Sequence, residues 1–221
     1  HEVAVAIRQS SDRRPLDGLP VESVEMDLCN PADVSPIVGD VDAVIHSAAM
    51  IQIGWTRRDE SIAFNAGSTR ALAEAARLKN KPMVLVSTVD TLGQTQPGEV
   101  ADETLDVPPA VECSYVVSKT AADREFARQV DLGLHGIIVK PGFMVGPYDW
   151  KPSSGEMMIS VANLPLYFAP GGGCSAVDVR DVAAGIESAL HHGRSGESYV
   201  LAGHNVSYLE LWTRMTAIIG K

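Results

Sequence analysis

Positive charge is scarce in this chain: 18 Lys and Arg stand against 28 Asp and Glu, leaving a formal net charge of -10 and a pI near 5.0. Nucleic acids and anionic membranes demand a basic footprint, so neither is an expected partner; an acidic surface mainly serves solubility. Cysteine is scarce as well. Cys29, Cys113 and Cys174 are odd in number, far apart and without a Cys-x-x-Cys, so neither a disulfide framework nor a zinc site is suggested. A reducing cytoplasm is the expected location. The histidines show no ligand spacing beyond His191 and His192, which as neighbours on a helix point in different directions, so no metal is expected. No apolar run approaches the roughly 18 residues of a membrane span, and His1-Glu2-Val3 has neither a methionine nor a basic-then-apolar leader. That start reads as a cut. What is present suffices for a core: 221 residues with 45% hydrophobic content fit one domain, or one domain plus a small lobe.

The apolar residues cluster in short runs. Val3 to Ile7, Val21 to Met26, Asp42 to His46, Met83 to Ser87, His135 to Lys140 and Tyr199 to Leu201 read as strands, β-branched and continuous rather than alternating. Between them Asn30-Pro31 opens a short helix, and Ser61 to Lys79, Tyr115 to about Val130, Val179 to His191 and Ser207 to Ile219 carry helical patterns. Thr91 to Cys113 reads as a long surface loop and Phe143 to Gly173 as irregular. Unalternating strands separated by crossovers mark a parallel sheet covered on both faces, so the expected fold is a doubly wound α/β sheet. Ligands of such sheets bind outside the carboxyl ends of the strands. This draws attention to Arg8, Asp27, Ser47 to Ala49, Ser87-Thr88 and Pro141 to Phe143.

One pair near a helix start stands out chemically. Tyr115-Val116-Val117-Ser118-Lys119 places a phenol and an ammonium one turn apart on the same face. A cation beside a phenol lowers its pKa from about 10, which suits the tyrosine to exchange a proton with a substrate oxygen. A solvated helical Tyr and Lys is the alternative, and only the surrounding residues can decide.

Those residues resemble a family. Asp27-Leu28 after a strand, His46-Ser47-Ala48-Ala49, Asn65 to Thr69, Ser87-Thr88 with Gly93, Tyr115 to Lys119, Lys140-Pro141-Gly142 and Val177 to Ala183 follow one another in the order found in the extended short-chain dehydrogenases/reductases. That group includes nucleotide-sugar epimerases and dehydratases and dihydroflavonol-reductase-like enzymes. The resemblance covers essentially the whole chain and implies a Rossmann-type sheet, a nicotinamide dinucleotide and hydride chemistry. It departs from the pattern in one respect: the Gly-x-x-Gly-x-x-Gly turn that holds the pyrophosphate occurs nowhere in the 221 residues. A first strand-helix unit of roughly 30 residues is therefore expected upstream, and more of the substrate lobe downstream. The expected division is a nucleotide-binding core at 1–142, incomplete at its start, and a mixed segment at 143–221 that adds a small, partial substrate lobe.

By the same resemblance Tyr115 is the proton donor or acceptor. Lys119 lowers its pKa and binds the nicotinamide ribose, and Thr88 orients the substrate oxygen, with Ser87 as the nearby alternative. Arg8 stands where many relatives carry an acid for the adenosine ribose, and a guanidinium there suits a 2′-phosphate; this favours NADP over NAD, helped by Arg13 or Arg14, unless the arginine is simply a solvated loop residue. Asp27 and Leu28 resemble the adenine site. Ser47, Ala48 and Ala49 let backbone approach the dinucleotide, Pro141, Gly142 and Phe143 lie against the nicotinamide, and Asn65 shapes the active-site backbone. Met50, Gln52, Trp55, Trp150 and Ser154 fall in segments that would rim a substrate cavity, but core or surface packing is the safer assignment for each.

The expected function is an NADP-dependent oxidoreductase acting on a carbonyl or alcohol carbon. A nucleotide-sugar epimerase or dehydratase is the rival enzyme, and a dinucleotide-binding redox sensor without chemistry is the rival of another class. A small-molecule substrate and a homodimer complete the expectation.

Overall fold

A computed structural model describes residues 1–96, 99–105, 107–150, 154–163, 169–218 and 220. In chain order the strands and α-helices are β1 (Val3–Ile7), β2 (Val21–Glu25), α1 (Pro31–Asp40), β3 (Val44–His46), α2 (Arg58–Leu78), β4 (Met83–Val86), α3 (Ser114–Asp131), β5 (Gly136–Pro141), β6 (Phe143–Val145), α4 (Ser154–Asn163), β7 (Gly173–Asp178), α5 (Val179–His192), β8 (Ser198–Leu201), β9 (His204–Ser207) and α6 (Tyr208–Ile218). They divide into two compact units, His1–Lys140 with Ile186–Tyr199, and Pro141–Gly185 with Val200–Lys221.

The first unit is α/β with parallel strands, as the unalternating runs predict. β1 pairs with β2 from Val3↔Val21 to Ile7↔Glu25. Separately, β3, β4 and β5 run parallel, with Val44↔Met83 and Met83↔Gly136 in register, and β8 lies beyond β5. All four residues of β4 are buried, because a strand flanked on both edges and covered on both faces has no water to meet. Ile45 and Val3, by contrast, are 49% and 47% exposed.

Helices cover the sheet for local reasons. Asn30 caps α1 by accepting from the Ala32 amide at 3.1 Å, and Pro31 supplies a first-turn residue that needs no donor. α2 buries Ser61, Asn65, Ser68, Leu72 and Ala76, spaced at three and four residues. These are mostly small side chains, and they let α2 pack closely along α3. Met26, Val34, Leu72, Met83, Leu85, Phe126 and Leu134 share one apolar cluster. The fit is tight at Gly136, where a Cβ would come within 2.8 Å of the Phe126 ring.

The second unit differs from the expectation. The segment read as irregular from Phe143 to Gly173 contains β6 and α4; residues 151–153 and 164–168 of it lie outside the described residues. β7 and β9 were not foreseen, and they pair antiparallel, Gly173↔Ser207 through Ala176↔His204, on the far side of β7 from its parallel partner β6. Gly-Cys-Ser-Ala and His-Asn-Val-Ser are too short and too polar to announce a strand. Their extended form comes from pairing with one another.

Candidate active site

The site in the first unit is organised around the start of α3. Its first amides are satisfied by the loop that follows β3: Ser114 N–H donates to the Gly54 carbonyl at 2.7 Å and Tyr115 N–H to the Gln52 carbonyl at 3.1 Å, while Ser114 Oγ donates to the Thr56 carbonyl at 2.9 Å. The orphan donors of a helix end are thereby paired without a side-chain cap. Asn65, buried inside α2, holds the same loop. Its Oδ1 accepts from Met50 N–H at 2.7 Å and its Nδ2 donates both to the Met50 carbonyl at 3.1 Å and to Ser118 Oγ at 2.8 Å. Ser118 Oγ in turn donates to the Tyr115 carbonyl at 2.8 Å. An Asn in mid-helix is costly unless its amide is used in this way.

β4 ends directly into Ser87 and Thr88, both buried. Thr88 Oγ1 caps a 3-10 turn, Val89–Thr91, accepting from Asp90 N–H at 3.3 Å and donating to the Asp90 carboxylate at 3.0 Å. The Thr88 hydroxyl is close enough to the phenol of the half-buried Tyr115 to lower its pKa. Ser87 Oγ is buried with no hydrogen-bond partner, and a buried hydroxyl with a free bonding capacity suits a ligand group at the strand end.

The electrostatics correct one expectation. The Tyr115 phenol is not drawn towards ionisation; it is pushed up to about 12, first by burial and further by Asp90, Asp123 and Cys113, with Thr88 opposing. Lys119, only 4% exposed, has its ammonium 2.7 Å from the Val86 carbonyl as a donor. Burial lowers its pKa to about 8, Asp123 pushing it up and Lys140 down. The helical spacing puts the two residues one turn apart, but burial is the largest cause of both shifts and neither residue is a cause of the other's. His46, buried at the end of β3 with Nε2 3.4 Å from Ser68 Oγ, is held neutral, its pKa lowered to about 4 by burial and by the Lys119 charge.

The expected adenosine residues meet elsewhere in the same unit. Arg8 and Asp27 line one groove of about 440 Å³ together with Gln9, Glu25, Met26 and Asp33. Asp27 accepts from Cys29 N–H at 2.9 Å, and its own amide donates to Asp33 at 3.1 Å; Leu28 packs on the apolar cluster. Arg14 is bound to Asp12. Ser47 and Ala48 are exposed beyond β3, with Ala49 half-buried. Pro141, Gly142 and Phe143 belong to the second unit, where Gly142 N–H donates to the Leu201 carbonyl at 3.1 Å and a Cβ at Gly142 would collide with the Ser175 carbonyl oxygen.

Sequence reasoning passed over Asp90, Asp123 and the side chain of Lys140. The available signal was a lysine closing the apolar run Gly-Ile-Ile-Val-Lys, a charge that burial tolerates only with a partner. Also unforeseen was the gathering of His1, Glu187 and His191, whose ligand atoms lie within 4.8 Å of one another on the surface.

The parts present fit a nicotinamide dinucleotide: an orphaned hydroxyl at the strand end, a buried lysine held on the last carbonyl of that strand, and a separate groove with a guanidinium and carboxylates. Similarity to known proteins agrees. A Synechocystis sp. protein provisionally named dihydroflavonol 4-reductase is 29% identical over 227 residues, covering all of this chain and 66% of the relative. The chain thus spans just under two thirds of that relative. The crystal structure of gox2253 is 33% identical, with TM-score 0.92, over 100% of this chain and 68% of that one. The crystal structure of PA4631, a nucleoside-diphosphate-sugar epimerase from Pseudomonas aeruginosa, is 26% identical, with TM-score 0.85, over 100% and 70%. The sequence profile of the NAD dependent epimerase/dehydratase family matches residues 1–202, and the chain belongs to that family.

Proposed function

We propose that the protein is an NADP-dependent oxidoreductase that reduces a carbonyl carbon, with Tyr115, Lys119 and Thr88 as its catalytic set. The observation that carries this reading is that the Thr88 hydroxyl at the end of β4 is close enough to the Tyr115 phenol on α3 to lower its pKa, with the buried Lys119 ammonium held at the same strand end on the Val86 carbonyl. The bound dinucleotide supplies the hydride. Thr88 donates a hydrogen bond to the substrate oxygen, which requires its proton to turn away from Asp90. Tyr115, protonated at neutral pH, delivers its proton to that oxygen as negative charge develops there. Lys119 stays largely protonated below pH 8 and stabilises the phenolate left behind.

A phenol raised above its ordinary value is protonated at neutral pH, the state that carbonyl reduction needs at its start. Arg8 supports NADP as the dinucleotide, since its guanidinium can pair with a 2′-phosphate, with Glu25, Asp27 and Asp33 in the same groove opposing it. Ser47, Ala48 and Ala49 would border the dinucleotide.

A nucleotide-sugar epimerase is the second reading, favoured by the 26% identity to PA4631. A homodimer and a cytoplasmic location fit either enzyme. The test is NADPH consumption by the full-length protein with a panel of aldehydes and ketones. Tyr115→Phe should lose about 10²- to 10⁴-fold in turnover, and equal rates in the two proteins would refute the mechanism. Arg8→Ala should weaken NADPH and leave NADH unaffected; comparable binding of both by wild type and variant would remove the NADP assignment.

A further inference from the structure

Lys140 sits at the end of β5 with its side chain buried, and its two partners come from different elements. Nζ donates to Asp123 Oδ2 on α3 at 2.6 Å and to Thr91 Oγ1 on the 3-10 turn at 2.5 Å. Thr91 continues the chain: its hydroxyl donates to the Thr88 carbonyl at 2.9 Å, and its amide donates to the same oxygen at 3.2 Å. One ammonium therefore joins the helix that carries Tyr115 and Lys119 to the turn that begins at Thr88. The ion pair is 8% and 14% exposed at its two side chains, so water does not loosen it. A buried charge pair is a poor source of net stability, and its best-attested use is to hold one arrangement against others.

We propose that Lys140, with Asp123 and Thr91, is a positioning device that sets the distance between the Thr88 hydroxyl and the Tyr115 phenol. The proposal rests on the catalytic reading above. Thr91 is the informative member, because its hydroxyl accepts from Lys140 and donates to Thr88 at once, while a valine would keep its bulk and do neither. Misplacing Thr88 harms the chemical step and leaves the dinucleotide groove at Arg8 and Asp27 untouched.

The experiment uses the full-length protein with NADPH and the best carbonyl of the panel. Thr91→Val and Lys140→Met should each lower kcat at least tenfold, on the scale of the ~10²-fold that a 1 Å misplacement costs, with the Kd for NADPH within about twofold of wild type. Thr91→Ser, which restores the hydroxyl, should recover most of the rate. Should Lys140→Met fold poorly, Lys140→Met with Asp123→Leu removes both charges together and should show the same fall in kcat. Wild-type kcat in Thr91→Val and in the double variant, beside an inactive Tyr115→Phe, overturns the positioning role alone. A fully active Tyr115→Phe overturns the catalytic reading and the device with it.

Discussion

Lys119 should cost the protein stability at neutral pH, and replacing it should expose that cost. Its folded pKa is about 8 against an ordinary value of 10.5, with burial as the largest cause. Each pKa unit corresponds to about 1.4 kcal/mol, so keeping this ammonium charged in the folded protein costs ~3 kcal/mol while both states are protonated. A lysine with a depressed pKa means that the unfolded chain binds more protons, so stability rises with pH between about 8 and 10.5 and the penalty is complete below pH 8. Lys119→Met removes the penalty but leaves the Val86 carbonyl without its 2.7 Å partner, a loss of about 1–3 kcal/mol. The variant should therefore be as stable as wild type at pH 7, or up to ~2 kcal/mol more stable. From pH 7 to pH 9.5 its stability relative to wild type should fall by ~2 kcal/mol as the wild-type lysine gives up its proton. Urea denaturation of the full-length proteins at the two pH values reads both quantities, because other titrating groups cancel in the difference. A variant several kcal/mol less stable at pH 7, or a difference that does not change with pH, would refute the reasoning. Loss of turnover in the same variant would show stability given up for chemistry.

Three further outcomes follow from named contacts. His46 has a folded pKa of about 4 against 6.5, so the folded state resists protonation and stability is lost as pH falls from 6.5 towards 4, by up to ~3 kcal/mol; His46→Leu should flatten that acid limb in urea denaturation, and an unchanged limb would contradict the assignment. Asp90→Asn removes a carboxylate that raises the Tyr115 phenol, so absorbance titration, with Tyr115→Phe as the blank, should find that phenol ionising at lower pH than in wild type. Phe126 is 0% exposed and faces Gly136, and Phe126→Ala should destabilise by about 3–5 kcal/mol in the same denaturation measurement; a loss under 1 kcal/mol would mean the helix does not pack on the strand as described.

The amino-acid order was sufficient wherever a property depends on neighbours along the chain. The apolar runs of β4 and β5, the Asn30-Pro31 helix start and the facing of Tyr115 with Lys119 all arise from local periodicity and backbone chemistry, which need no knowledge of distant residues. β7 and β9 were hidden because their extended form depends on pairing between residues far apart in the chain, from Gly173↔Ser207 to Ala176↔His204. The direction of the Tyr115 pKa was hidden for a related reason. Spacing reveals that a cation lies one turn away, but burial, Asp90 and Asp123 belong to the packed site. Lys140 makes the same point most plainly: as a letter it ends a strand, and only folding brings Asp123 and Thr91 to its ammonium. Local geometry is written in sequence separation, whereas dielectric, desolvation and long-range pairing exist only once separate stretches of the chain exclude water from one another.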